Sequence, residues 1–363
     1  MWTDRRLLDL FQIEHPIVLS PMAGVADAAL AIAVAQGGGL GSMPCGMLDV
    51  AQTRAQAETF RAGAGGRPVN LNFFVHTMPA RNNAREHAWR EALAPYYREL
   101  GVDPAAATAA ASRMPFDEAT CALVEEIRPE VVSFHYGLPE RALLKRVQTA
   151  GCKVLSSATT VAEARWLADH GCDAVIAQGF EAGGHRGMFL NLDTATQVGT
   201  FALLPQVVDA VSVPVIAAGG IADARGIVAA LALGASAVQI GTAYLHCPES
   251  KVTPPHRAAL KEARDDATVL TNVISGRPAR GFVNRVIREM GPISDLAPDF
   301  PYASAAVLPL HAKAQAQGSG DFSGMLAGQA AGLAASLGHE MPAQALTQHL
   351  VQSSQALLRQ MAG

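Results

Sequence analysis

The sequence has 363 residues, of which 50% are hydrophobic and 17% are charged, and its formal net charge is -4 at pH 7. This composition is typical of a soluble globular protein and excludes a disordered chain or one that coats nucleic acid. Glycine, proline or polar residues break every apolar run before the roughly 18 residues that a membrane span needs. The amino-terminal stretch MWTDRRLLDLF lacks the apolar core of a secretory signal. We therefore expect a cytoplasmic protein with neither nucleic acid nor membrane as a partner.

Short apolar runs recur along the chain, and each ends at glycine, proline or a polar residue. Most of them are continuous rather than alternating, which is typical of parallel strands covered on both faces. They predict eight strands: PIVLSPM from Pro16, LGSMPC from Leu40, VNLNFF from Val69, VVSFHYG from Val131, KVLSSA from Lys153, AVIAQG from Ala174, PVIAAGG from Pro214 and AVQIGTA from Ala237.

Helical patterns alternate with these strands. TVAEARWLADHG begins at a capping Thr160 and ends at Gly171, and ADARGIVAALALGA ends near Gly234. Alternating strands and helices indicate a parallel sheet, and eight such units predict an α/β protein with a (β/α)₈ TIM barrel. The alternative is an open doubly wound sheet, but the GxGxxG fingerprint after its first strand is missing.

Two regions exceed a minimal barrel, which we predict to span residues 1–250. The polar segment at about 76–118 predicts a helical insertion near the site. Residues 251–363 predict a small accessory lobe packed on the barrel. In this tail we expect a helix over PPHRAALKEARDD, a strand pair within TVLTNVISGRPARGFVNRVI, and a final helix opened by LAGQAAGLAASLGHE.

The cysteines and histidines show no metal-binding pattern. The five cysteines lie far apart with no CxxC pair, which argues against a disulfide framework and a zinc site. The histidines have no HExxH or comparable spacing. We expect reduced cysteines and no metal.

Residues suited to chemistry cluster where the barrel places its active face, at the ends of strands. Gly219-Gly220 and the Gln239–Thr242 run follow the last two strands, whose loops frequently bind phosphate in barrels. Taken alone, the glycine pair is explained equally well by a tight turn. Together with amides from Asn70, Gln178 and Gln239, which can both donate to and accept from a planar heterocycle, it favours a phosphorylated ring cofactor.

Six motifs follow one another along the chain: PMAG at Pro21, VNLNFF at Val69, SFHYG at Ser133, QGFEAGGHRG at Gln178, PVIAAGGI at Pro214 and QIGTAYLHCPES at Gln239. In this order they resemble the nitronate monooxygenases, formerly called 2-nitropropane dioxygenases, which are FMN-dependent (β/α)₈ barrels. The resemblance runs from about His15 to Ser250 and continues more weakly into DFSGMLAGQ at Asp321.

The resemblance implies roles for individual residues. His185 is similar to the family's active-site histidine beside the flavin, His135 is expected on the substrate side, and Tyr302 is expected to face the substrate over the flavin. A histidine can bind an anionic nitronate when protonated, or take a proton from a neutral nitroalkane when neutral. The residues implied to hold FMN are Met22, Ala23, Gly24, Asn70, Gln178, Gly183, Gly219, Gly220, Gln239, Ile240, Gly241 and Thr242.

The reaction that the resemblance implies is oxidation of alkyl nitronates, such as propionate 3-nitronate, by O₂ to a carbonyl compound and nitrite or nitrate. One alternative is an NAD(P)H-dependent reductase of the same barrel type, acting on a quinone or an enoyl thioester. A second is a flavin-binding scaffold without catalysis. A homodimer through the carboxyl-terminal lobe is a further expectation.

Overall fold

The computed structural model describes residues 2–106, 113–337 and 340–362. Residues 107–112, which belong to the predicted insertion, and residues 338–339, within the predicted final helix, lie outside the described residues. The strands are β1 (Ile17–Leu19), β2 (Gly41–Pro44), β3 (Val69–Phe74), β4 (Val131–His135), β5 (Lys153–Ala158), β6 (Ala174–Gln178), β7 (Gly184–His185), β8 (Val215–Ala218), β9 (Ala237–Ile240), β10 (Thr268–Thr271) and β11 (Ala279–Phe282).

Helices follow most of these strands. They are α1 (Arg6–Phe11), α2 (Ala28–Gln36), α3 (Val50–Gly63), α4 (Asn83–Leu100), α5 (Glu118–Ile127), α6 (Arg141–Thr149), α7 (Val161–Asp169), α8 (Thr200–Ala210), α9 (Ala224–Ala232), α10 (Pro254–Lys261), α11 (Arg285–Met290), α12 (Ala303–Ala316), α13 (Ala331–Ala335) and α14 (Ala343–Ala362). Short 3₁₀ turns cover Pro104–Ala106, Thr194–Thr196 and Thr242–His246.

The barrel predicted from the sequence is confirmed, and all eight predicted strands take part in it. They pair in the order β1-β9-β8-β6-β5-β4-β3-β2, with every pairing parallel. A parallel bridge between Val18 and Leu40 brings the two ends of the sheet together, and the Leu19 N–H donates to the Leu40 carbonyl at 2.9 Å. The carboxyl ends of all eight strands therefore open onto one face.

The helix boundaries follow from capping chemistry. The Thr160 side chain accepts from the Glu163 N–H at the start of α7, as predicted, and Asp223 accepts from two N–H groups at the start of α9. After each helix the chain turns at a glycine with positive φ, Gly171 (φ 104°) and Gly234 (φ 96°). These turns return the chain to the next strand.

The insertion and the tail share a second hydrophobic cluster beside the barrel. In it α4 packs against α12, where the Trp89 indole N–H donates to the Ala303 carbonyl at 3.2 Å. The Tyr97 hydroxyl donates to the Ala306 carbonyl at 2.6 Å. The strand pair predicted in the tail is confirmed as β10 and β11, which are antiparallel, and β11 also pairs with β7. This arrangement joins the accessory strands to the loop after β6.

The end of the chain differs from the sequence prediction. We expected one final helix opened by LAGQAAGLAASLGHE, but α13 spans only Ala331–Ala335 and a separate helix, α14, begins at Ala343, directly after Pro342. Helix α14 packs on α2 and α9, and the Tyr244 hydroxyl lies 2.8 Å from Thr347 Oγ1. It therefore completes the outer layer of the barrel.

The five cysteines are free and buried, as predicted. Within residues 2–106, 113–337 and 340–362, no helix combines the length and apolar character needed to cross a bilayer.

Candidate active site at the carboxyl face of the barrel

A cavity of about 420 Å³ lies over the carboxyl ends of the barrel strands. Twelve of the fifteen sequence-predicted site residues line it, and they lie at the carboxyl ends of β4, β6 and β9 or in the segments that follow β1, β6, β8 and β9. These residues are Met22, Ala23, Gly24, His135, Gln178, Gly183, His185, Gly219, Gly220, Gln239, Gly241 and Thr242.

The other three predicted site residues do not line the cavity. Asn70 is buried lower in β3, where its amide donates to Ser42 Oγ at 3.0 Å, while Asn72, two residues further along the same face, lines the cavity. Ile240 is fully buried in the barrel wall. The Tyr302 hydroxyl donates to the Pro79 carbonyl at 3.3 Å, away from the cavity.

The glycine loops form a cradle that side chains would fill. Gly219 and Gly220 have φ values of 110° and 72°, which favour glycine. A Cβ on Gly183 would lie 2.5 Å from the Gly328 backbone nitrogen, and Gly328 N–H in turn donates to Thr242 Oγ1 at 2.9 Å. Gln239 Oε1 is buried beside this cradle without a hydrogen-bond partner among the described residues. The glycine loops let a ligand approach the backbone closely, and Gln239 Oε1 can accept a hydrogen bond. These two features fit a phosphorylated heterocycle that carries a ring N–H.

Glu181, which the sequence analysis did not select, lies beside the glycine pair. Its carboxylate accepts from the Thr200 N–H at 2.8 Å and from the Thr200 hydroxyl at 2.8 Å, at the start of α8. Its main-chain carbonyl accepts from the Gln329 N–H at 3.0 Å. The carboxylate is thereby held at a helix amino terminus, where its charge is favourable, and it ties the β6 loop to both α8 and the tail.

The Gln178 amide holds the loop that carries His185. Its Nε2 amide donates to the His185 carbonyl at 3.0 Å, and its Oε1 accepts from the Gly187 N–H at 2.8 Å. Arg186 is fully buried and donates to the carbonyls of Gln178 and Gly179 at 2.9 and 2.6 Å. The arginine after the histidine is therefore structural, because it satisfies carbonyls at the end of β6.

His135 supports the same loop from below. Its Nε2 lies 3.2 Å from the His185 carbonyl, so this nitrogen carries the proton and donates, while Nδ1 accepts from the Ser157 hydroxyl at 3.2 Å. Burial, together with the nearby Arg277 charge, lowers the pKa of His135 to about 3. The ring is therefore neutral at pH 7, and both of its nitrogens are used to position His185.

The His185 ring has one nitrogen committed and one available. Nε2 lies 2.8 Å from Ser275 Oγ, and the Ser275 hydroxyl also lies 3.3 Å from the Arg277 carbonyl. When the hydroxyl donates to Nε2, Nδ1 carries the proton and can donate to an anion. When the hydroxyl donates to the carbonyl, Nε2 carries the proton and Nδ1 is a base. Ser275 thus permits both roles on a neutral ring.

The electrostatics favour the neutral form of His185. Desolvation in the cavity and the positive charges of Arg113 and Arg277 lower its pKa well below the ordinary value of 6.5. The sequence had left open whether the ring is charged when it acts. The structure assigns the fixed positive charge near the ring to the arginines.

A polar group that the sequence analysis missed lies beside His185. Arg113, from the insertion, lines the cavity, and the Arg277 guanidinium stacks on the Tyr136 ring at 3.8 Å and donates to the Met188 carbonyl. Both His76 ring nitrogens and the Tyr136 hydroxyl are buried without a hydrogen-bond partner among the described residues. Tyr136 belongs to the SFHYG motif, whereas His76, Arg113 and Arg277 lie outside the six motifs, so only proximity in the fold reveals these three.

Metal-ligating side chains do not gather in the part of the chain that the structure describes. There, no three histidine, cysteine, aspartate or glutamate side chains come together as a metal-binding group.

The buried histidines predict acid sensitivity. Burial lowers the pKa of His76 and His256 to about 4 and that of His135 to about 3, whereas the unfolded chain titrates near 6.5. Between pH 6.5 and pH 4 the unfolded state binds more protons, so the free energy of unfolding falls as the pH falls. We expect each histidine to contribute about 2 kcal/mol of this loss between pH 7 and pH 5. Urea unfolding at several pH values measures it, and His256→Asn should make the dependence shallower; an unchanged slope would contradict the assignment.

Comparison with known proteins gives consistent matches over the whole chain. The profile of the family described as nitronate monooxygenase matches residues 4–353. A nitronate monooxygenase of Pseudomonas aeruginosa is 42% identical over 356 residues, covering 96% of this chain and 98% of that protein. The solved structure of a nitroalkane oxidase from Streptomyces ansochromogenes has a TM-score of 0.86 and 36% identity, covering 99% of this chain and 100% of that one. FabK from Thermotoga maritima has a TM-score of 0.77 and 27% identity, covering 100% and 99%.

Proposed function

The chain belongs to the nitronate monooxygenase family, and from that premise we propose that it uses FMN and O₂ to oxidise alkyl nitronates such as propionate 3-nitronate. One nitronate and one O₂ would yield one carbonyl compound and one nitrate. Two nitronates and one O₂ would yield two carbonyl compounds and two nitrites. Both equations balance in atoms and charge.

The observation that carries this proposal is a neutral histidine beside positive charges that lack a carboxylate partner. His185 lines the cavity with a depressed pKa, and none of the ion pairs among the described residues includes Arg113 or Arg277. Such a site attracts an anion, because a buried positive charge is stabilised by an opposite charge in a medium of low dielectric constant. A nitronate is an anion with two oxygens that accept hydrogen bonds.

The protein's own residues would bind and orient the substrate. A nitronate has already lost its α-proton, so His185 only has to donate from Nδ1 to a nitronate oxygen. With a neutral nitroalkane, Nδ1 would instead take the α-proton. His135 and Gln178 position His185 without contacting the substrate, because both donate hydrogen bonds to its main-chain carbonyl.

The donors and open space of the cavity support FMN as its cofactor. When bound, FMN would supply the redox chemistry that links the substrate to O₂. Gly219, Gly220, Gly241 and Thr242 would hold its phosphate through backbone N–H groups, and Gln239 would accept from its ring. Met22, Ala23, Gly24, Gln178 and Gly183 would line it, with Asn72 rather than Asn70 supplying the amide from β3.

The test is product stoichiometry. The purified protein, loaded with FMN, is mixed with propionate 3-nitronate in air while O₂ consumption, carbonyl product, nitrite and nitrate are measured. We expect one carbonyl product for each nitrogen oxyanion formed, and O₂ consumption that follows the equations above. Absence of O₂ consumption above the enzyme-free rate would contradict the proposal.

A second candidate is an NAD(P)H-dependent reductase acting on a quinone or an enoyl thioester. The observation that supports this candidate is the likeness to FabK from Thermotoga maritima over the whole chain. It predicts rapid anaerobic reduction of the flavin by NADH or NADPH, followed by turnover with a quinone. Among the described residues that line the cavity, Arg113 and Lys251 carry positive charge and none is an aspartate or glutamate, which favours oxidation of an anionic nitronate.

Two further proposals concern the setting of the enzyme. We propose a cytoplasmic location, and a homodimer formed through the carboxyl-terminal segment. Sedimentation equilibrium of the full chain tests the dimer, which a monomer at all concentrations would contradict.

A further inference from the structure

We propose that Arg113 determines substrate preference by binding a second negative group on the nitronate, a carboxylate at the far end of a short carbon chain. This inference rests on the proposed function and goes beyond it, because it assigns a residue to the part of the substrate that does not react.

The Arg113 guanidinium has hydrogen-bonding capacity that its described contacts do not use. Its one described hydrogen bond runs from Nη1 to Ser304 Oγ at 3.3 Å, and the Ser304 hydroxyl donates onward to the Pro301 carbonyl at 2.7 Å. A guanidinium carries five N–H donors in a planar fork. Most of them are therefore left for a ligand, and the fork matches a carboxylate in two-point geometry.

Arg113 and His185 lie near the same aromatic ring. The Arg113 guanidinium lies 5.8 Å from the centre of the Phe300 ring, and the His185 ring lies 5.5 Å from the same centre. Both groups therefore lie near one apolar ring, and both line the cavity. A substrate whose nitronate contacts His185 can extend a short carbon chain through the cavity and place its other end at Arg113.

No carboxylate among the described residues forms an ion pair with Arg113. The neighbouring Arg277 also lacks such a pair, but its guanidinium donates to the Met188 carbonyl and stacks on Tyr136. His76 and Tyr136, whose rings lie 4.8 and 5.7 Å from Phe300, add buried polar atoms without partners. A buried cation and unpaired donors on one side of His185 form a site that an anionic ligand completes.

The test compares two nitronates of equal chain length, propionate 3-nitronate and the anion of 1-nitropropane. Losing a hydrogen bond to a charged group should lower kcat/KM by about 10- to 100-fold in Arg113→Gln for propionate 3-nitronate. We expect a smaller loss of about 3-fold for the 1-nitropropane anion, because this substrate loses only the longer-range attraction of the Arg113 charge for the nitronate group. Arg113→Lys should recover part of the lost activity.

The matched control is Arg81→Gln, which removes an arginine from the same insertion that is already paired with Glu86 at 2.6 Å. Calorimetric titration with propionate gives a readout independent of turnover. Propionate should bind the FMN-loaded wild type and Arg81→Gln but not Arg113→Gln.

The contradicting results are distinct. Equal losses for both nitronates would mean that Arg113 binds the nitronate group itself, and unchanged propionate binding in Arg113→Gln would remove Arg113 from the site. Propionate binding through Arg113 in a protein that oxidises no nitronate would overturn the proposed function while supporting the anion site.

Discussion

We expect His185→Ala to keep FMN bound and to lower kcat/KM for a nitronate by about 10²-fold, the loss typical of removing one donor to a developing or resident oxyanion. Nδ1 is the ring nitrogen left available in the cavity, since Nε2 is held by Ser275. The flavin stays bound because the cradle depends on the glycine loops and Gln239, not on this ring. Steady-state rates and flavin content per chain measure the two effects separately.

The matched control for this variant is His170→Ala, because His170 is exposed and stacks on Trp166 outside the cavity. It should change neither rate nor flavin content. Unchanged turnover in His185→Ala would remove His185 from the mechanism. Loss of flavin together with activity would show that the ring supports the cofactor site instead.

We expect Gly220→Asp to purify largely without flavin. Gly220 has φ 72°, which strains any L residue there, while its Cβ would be in ordinary contact with the Glu181 Cβ at 3.4 Å. Its carboxylate would stand near the phosphate that we place at this loop. Two unit charges about 4 Å apart near a protein surface repel by about 4 kcal/mol, which weakens binding by about 10³-fold. Flavin absorbance per chain and titration of the apoprotein with FMN measure this loss.

Two controls separate charge from backbone strain. Gly220→Asn has the same shape without the charge, and asparagine tolerates a left-handed backbone, so it should retain more flavin than Gly220→Asp. Gly66→Asp places the same side chain at another left-handed glycine, φ 79°, with open space around it, and should bind flavin normally. Equal loss in Gly220→Asn and Gly220→Asp would mean that strain, and not a bound phosphate, explains the effect.

The sequence predicts the barrel well because its signals are local and repeated. Each strand is a continuous apolar run, and caps such as Thr160 and turns such as Gly171 fix the helix between two strands. The glycine pair at Gly219-Gly220 is also a local signal, because both residues adopt a positive φ. In the loop after β6, Gly183 and His185 line the cavity, and only the structure explains Arg186, which satisfies buried carbonyls.

The sequence predicts less where two distant segments meet. Arg113 and Ser275 approach His185 only because the insertion and the tail fold over the same face of the barrel. Asn70 and Asn72 share one face of β3, and the pattern of alternation does not say how deep the cavity floor lies. The depressed pKa of His185 likewise depends on charges contributed by other segments. The final helix was misplaced because its packing on α2 and α9 is a tertiary effect.

The most direct measurement is an anaerobic absorbance scan of the FMN-loaded protein, with propionate 3-nitronate in one cuvette and NADH in another. The proposed function predicts that the nitronate changes the visible flavin spectrum within the mixing time and that NADH does not. Complete bleaching by NADH, with no change from the nitronate, would contradict it and support the reductase.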